Sequence, residues 1–77
     1  MNYYGKDIVM YSINSSCITE VGYEEENEIA LIRFNNCALY AYLGVCRQEF
    51  ENLRTASSVG SYFYENIRDL YPYERIN

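Results

Sequence analysis

Residues 29–43 read IALIRFNNCALYAYL. Two apolar runs, Ile29 to Phe34 and Ala38 to Leu43, flank Asn35, Asn36 and Cys37, and each has the length and the β-branched or aromatic content of a strand. Asn-Asn supplies the positive φ that a tight hairpin asks for, so the stretch predicts two antiparallel strands joined by a short turn. Side chains alternate with period two. Tyr40 and Tyr42 therefore fall on one face of the second strand, and Leu39, Ala41 and Leu43 on the other. One face is expected to pack on helices and the other to form an aromatic surface.

Upstream, Ile18 to Tyr23 is again β-branched and aromatic, and reads as a strand. The acidic run Glu24, Glu25, Glu26, Asn27, Glu28 is poor in strand propensity and reads as the solvated turn that follows. It lacks the alternating spacing and the Gly of a calcium loop. Tyr3, Tyr4 and Ile8 to Met10, broken by Gly5, Lys6 and Asp7, read as a short leading strand or arm within residues 1–13. Downstream of Gly44 the period changes. Cys46, Phe50 and Leu53 draw one apolar stripe on a helix that carries Arg47, Glu49, Glu51 and Arg54 elsewhere. Ser57 and Ser58 are good N-caps for a second helix, on which Gly60, Phe63, Ile67 and Leu70 repeat at helical spacing. Pro72 ends that helix near Leu70 and Tyr71 and leaves residues 73–77 as an extended tail. The order predicts an α+β domain: a three-stranded antiparallel β-meander, with or without an extra N-terminal strand, followed by two helices packed on one face.

A chain of 77 residues holds one domain, and at this size roughly 60% of the unfolded surface can be buried. Six basic and eleven acidic residues give a net charge of −5, which repels duplex DNA on average. No apolar run approaches the roughly 18 to 20 residues that span a bilayer, so no membrane partner is expected and the cytoplasm is the expected compartment. Cys17, Cys37 and Cys46 are odd in number and widely spaced, which predicts free thiols. With no His and no close Cys pair, neither a zinc site nor any other cofactor is expected. The catalytic inventory is equally thin. A Ser nucleophile would have only Lys6 or a carboxylate as its base, so a non-enzymatic role is expected.

Several of these segments carry a family likeness. Ser15, Ser16, Ile18, Val21 and Tyr23, then Leu31 with Phe34, the Tyr40-Ala41-Tyr42 triplet, and finally Ala56, Ser58, Gly60, Phe63, Ile67, Arg68 and Tyr71 resemble, in this order and spacing, the KTSC domain family from about Asn14 to Arg75. That family is named for its occurrence at the C-terminus of some lysyl-tRNA synthetases, and the resemblance implies a small domain for which RNA binding has been suggested. Three positions depart from its pattern. Asn36 stands for the usual hairpin Gly, Cys46 for the Pro that opens the first helix, and Ser61 for a basic residue after Gly60.

Ten tyrosines are the most unusual count in the composition. A tyrosine offers a rigid apolar ring with a polar tip, suited to base stacking and to sticky interfaces. Tyr40 and Tyr42 on the sheet and Tyr62 and Tyr64 on the second helix are the candidate stacking groups. The last two flank Phe63 and cannot both point inward. Arg54 and Arg68 are candidate phosphate clamps, with surface ion pairs to Glu51, Glu65 and Asp69 as the other reading. Ser57, Ser58 and Gly60 open a helix, where free amide hydrogens favour an anion. Together they predict a binding module for a nucleotide-containing ligand or short single-stranded RNA. Compact single-domain proteins of this kind also occur in phages, which makes sequestration of a host nucleotide signal a specific version of that expectation. Because so small a domain can hardly hollow out its own core, the pocket is expected between subunits of a homo-oligomer. The alternative is a protein-interaction module or inhibitor whose acidic hairpin, Glu24, Glu25, Glu26 and Glu28, imitates a phosphate run.

Overall fold

The computed structural model describes all 77 residues. The chain forms an α+β domain in which a five-stranded antiparallel sheet carries two helices on one face and a small hairpin on the other. In chain order the elements are β1 (Asn2–Tyr3), β2 (Lys6–Asp7), β3 (Met10–Ser12), β4 (Ile18–Glu24), β5 (Ile29–Phe34), β6 (Leu39–Leu43), α1 (Arg47–Arg54), α2 (Val59–Asn66) and β7 (Tyr73–Arg75). β1 pairs only with β2; the large sheet runs β3-β4-β5-β6-β7.

The three strands expected from the sequence occupy the middle of this sheet, and two more flank them. The N-terminal segment is neither a single strand nor a free arm. Tyr4 and Gly5 both take positive φ, 48° and 81°, as a two-residue primed turn requires, and fold Tyr3 back onto Lys6. The tail is corrected as well. Pro72 stops helical structure, but Tyr73–Arg75 then returns antiparallel to β6, with Tyr42 opposite Tyr73 and Tyr40 opposite Arg75.

Two cores result, one on each face of the sheet. Ile18, Val21, Ala30, Ile32 and Tyr42 meet Phe50 and Leu53 of α1 and Val59, Phe63 and Ile67 from the second helical segment. Ile18 and Val21 lie three apart and would point to opposite faces of a regular strand. A register shift between Ile18 and Glu20 brings them to the same side. On the reverse face Leu31, Leu39 and Ala41 are covered by Tyr3 and Ile8 of the hairpin. Gly22 is needed here: a Cβ at that position would meet Ile8 Cγ2 and the Val9 carbonyl, each at 3.1 Å. The helices therefore cover the tyrosine side of β6 and the hairpin covers the leucine side, which reverses the expected roles of the two faces.

Local details also shift. The positive φ of the β5–β6 turn belongs to Cys37 (71°), not to the asparagines. Cys37 N–H donates to the Phe34 carbonyl at 2.9 Å and Asn36 Oδ1 accepts from Ala38 N–H at 3.0 Å. Cys46 is exposed and serves as the N-cap residue of α1, while Val45 takes the buried place. Leu70 is exposed in the turn after α2, which ends at Asn66 with Ile67 as C-cap. All three cysteines are free.

Candidate functional site

The site is built where β6 and β7 meet the end of α2. Tyr40 and Tyr42, two apart on β6, point to the same side and their rings lie nearly parallel at 6.4 Å. Tyr73 of β7 contacts both, with 5.5 Å between centroids in each case. Phe63 of α2 stands edge-on to Tyr42 at 5.3 Å and to Phe34 of β5 at 5.4 Å. It fixes the helix against the sheet by aromatic geometry as well as by area. These rings, with Tyr64, Cys17, Arg68 and Asp69, line an open groove of about 620 Å³. One chain thus forms a groove of nucleotide dimensions on its surface, without the second subunit that size alone had suggested.

Two guanidinium groups stand at the groove's aromatic margins. The Arg68 guanidinium lies over the Tyr64 ring at 5.1 Å, and that of Arg75 over Tyr40 at 5.9 Å, both within cation–π range. Arg68 Nε also faces Asp69 at 3.4 Å, so the ion pair weighed from the sequence does form. The pair is surface-exposed, where such bridges contribute little. Burial pushes the Tyr42 phenol up to about 12; the neighbouring Tyr73 and Tyr40 add to this and Arg68 opposes it.

Other candidates lie elsewhere. Arg54 sits over the Tyr11 ring at 4.7 Å and its Nη2 donates to Glu51 at 2.6 Å, away from the groove. Tyr62 donates from its hydroxyl to Glu49 of α1 and packs against the helix-side core. Tyr64 is the outward partner of the two, 49% exposed. Ser57, Ser58 and Gly60 line a second, polar cleft of about 310 Å³ with Asn14, Ser15 and Ser16, which shares Cys17 and Tyr64 with the groove. Ser58 works there as a cap, accepting from Ser61 N–H at 3.3 Å. Gly60 permits close approach, since a Cβ would come within 3.1 Å of Cys17 Sγ.

The acidic run is not a uniform solvated loop. Glu24 ends β4 and is only 2% exposed. It accepts from Asn27 N–H at 2.9 Å and from Lys6 Nζ at 3.3 Å. These contacts hold its carboxyl below the usual range, the Asn27 amide most of all. Lys6 also pairs with Glu26 at 2.9 Å and Arg47 with Glu25 at 3.0 Å. Glu24 is therefore a latch between β2 and the β4–β5 turn rather than a surface for a partner, and two of the other carboxylates meet local cations.

The family model of the KTSC domain matches residues 14–71. The chain belongs to the KTSC domain family. Among solved structures it is similar to the crystal structure of a KTSC domain protein from Yersinia pestis, with 28% identity and a TM-score of 0.88, covering 92% of this chain and 100% of that one. No curated protein matches it. The departures from the family pattern are each accommodated in this KTSC domain. Cys37 takes the positive φ that a hairpin Gly would supply, and Cys46 has φ −71°, within the range that proline locks. Ser61 Oγ accepts from the Ser58 hydroxyl. Phe34, Phe63, Cys17, Tyr73 and Asp69, with Asn35, Asn36 and Ala38, line the groove without having been assigned to the site by sequence reasoning, and Arg75 stands over Tyr40 at its margin. Tyr73 and Arg75 had a usable signal, alternation on the same side of a strand, but only three residues long.

Proposed function

We propose that this KTSC domain is a non-enzymatic binding module that holds a nucleotide-containing ligand, or the exposed base of a short single-stranded RNA, in the groove between β6, β7 and the end of α2. The observation that carries this reading is the meeting of Tyr40, Tyr42, Tyr64 and Tyr73 with Arg68 around one open groove of about 620 Å³. Each base stacked on such rings contributes about 1–3 kcal/mol, and a guanidinium at the rim supplies charge-assisted hydrogen bonds to phosphate. The single carboxylate lining the groove, Asp69, faces Arg68, which supports holding rather than turnover. A module of this sort acts by sequestering its ligand.

Calorimetry and thermal shift with nucleoside monophosphates, cyclic nucleotides, ADP-ribose and short oligoribonucleotides test the reading. Saturable binding is expected. Tyr64→Ala and Arg68→Ala each weaken it about tenfold, the equivalent of about 1.4 kcal/mol, whereas Arg54→Ala leaves it unchanged because Arg54 lies against Tyr11 and Glu51. Absence of a response to every ligand in the panel removes the proposal. Self-association is part of the same reading, supported by exposed Tyr4, Val9 and Leu70. Sedimentation velocity at rising concentration checks it, and a monomer throughout would remove that part alone.

A further inference from the structure

We propose that the Tyr42 hydroxyl reads the ligand of this groove, donating a hydrogen bond to an acceptor, such as a ring carbonyl, on the edge of the bound base. The inference rests on the nucleotide reading above and adds the group that selects within it. Tyr42 is 3% exposed, the most enclosed tyrosine in the chain. Its ring is held by Phe63, Tyr40 and Tyr73, so its tip has one fixed address. Tyr23 donates to the Val45 carbonyl and Tyr62 to Glu49, but the Tyr42 hydroxyl makes no hydrogen bond within the chain. Nor is it sealed in, for Arg54 Nε is the one fully enclosed side-chain polar atom without a partner. Tyr42 lines the groove together with Tyr40, Tyr73, Arg68 and Asp69, so a molecule held there is in reach of its tip.

A polar group enclosed by rings with no intrachain partner is the arrangement from which a site gains selectivity, because a ligand that fails to complement it leaves it unpaired. The phenol is protonated at neutral pH, and burial extends that range upward, so its O–H is free to donate to an acceptor on the base. Nucleobase carbonyls and ring nitrogens are acceptors of this kind. A bare phenyl ring stacks equally well and offers none.

Tyr42→Phe keeps the ring and removes only the donor. Calorimetry on the full chain compares it with the wild type against uridine monophosphate, guanosine monophosphate, a short oligouridylate and phenyl phosphate. The expected result is a loss of about 3- to 10-fold for the base-containing ligands, no change for phenyl phosphate, and a thermal midpoint that is unchanged or higher. The oligouridylate against the monophosphates separates RNA from free nucleotide as the source of the base. Wild-type binding that Tyr42→Phe leaves untouched overturns the inference while the nucleotide reading stands. An equal loss for phenyl phosphate, or a lowered midpoint, also overturns it, since either assigns the hydroxyl to packing. No wild-type binding to any base-containing ligand fells both.

Discussion

Glu24 shows how a residue's burial changes its meaning. From composition it belongs with three neighbours of the same charge; in the fold it is an enclosed carboxylate held by Asn27 and Lys6. Its folded pKa is depressed chiefly by the Asn27 amide hydrogen, so the unfolded chain binds its proton more readily. The stability this contributes is fully present above the unfolded carboxylate value and is lost as pH falls through the lower, folded one. Chemical denaturation across the acid range is expected to show that limb, and Glu24→Gln to flatten it while lowering stability at neutral pH. An acid limb identical in the two proteins would assign the loss to other carboxylates, of which Glu51, depressed by Arg54, is the next. Nothing in the string of acids marks the first as different. Its partner from outside the run, Lys6, lies 18 positions upstream.

Among the elements, legibility follows length. β5 runs Ile29–Phe34, the bounds read from its apolar run, and Ser58 caps α2 as its position before the apolar repeat implied. Both signals are local, a periodicity or a hydroxyl beside a helix start. β1, β2 and β7 are two or three residues long, too short for any period, and exist because longer strands template them. β7 depends on β6 and on the Ile76 N–H, which donates to the Leu39 carbonyl at 2.8 Å. Ile76→Pro removes that donor at a cost of about 1 kcal/mol. It is expected to loosen Tyr73 and Arg75 and to weaken ligand binding more than it lowers the thermal midpoint. Calorimetry beside thermal melts would reveal the contrary case, in which both fall together and β7 is simply part of the core.

At the scale of the whole molecule the chain is three layers deep: hairpin, sheet, helices. The α+β class and the helix-side core followed from patterning, because the helices repeat apolar residues at their own period and the central strands read as bounded apolar runs. The reverse face was harder to read. Leu31, Leu39 and Ala41 required a cover, and the sequence offered a short N-terminal segment with no period of its own. That cover contributes substantially to a small domain, since removing the buried part of an Ile costs about 2–5 kcal/mol and total stability is of order 5–15 kcal/mol. Ile8→Ala should lower the urea midpoint by an amount comparable with a core mutation and raise the tendency to aggregate, as judged by light scattering. A surface-like response, under about 0.5 kcal/mol, would show the hairpin to be dispensable. The candidate site was half legible. Tyr40, Tyr42, Tyr64 and Arg68 do converge, while Arg54 and Tyr62 were separated from them by partners, Glu51 and Glu49, that helix geometry alone does not assign.

β7 has one further consequence. The family match spans residues 14–71, so the strand bearing Tyr73 and Arg75 lies just beyond it. Altering Tyr73 or Arg75 therefore changes one side of the groove while leaving untouched the residues that the family match spans.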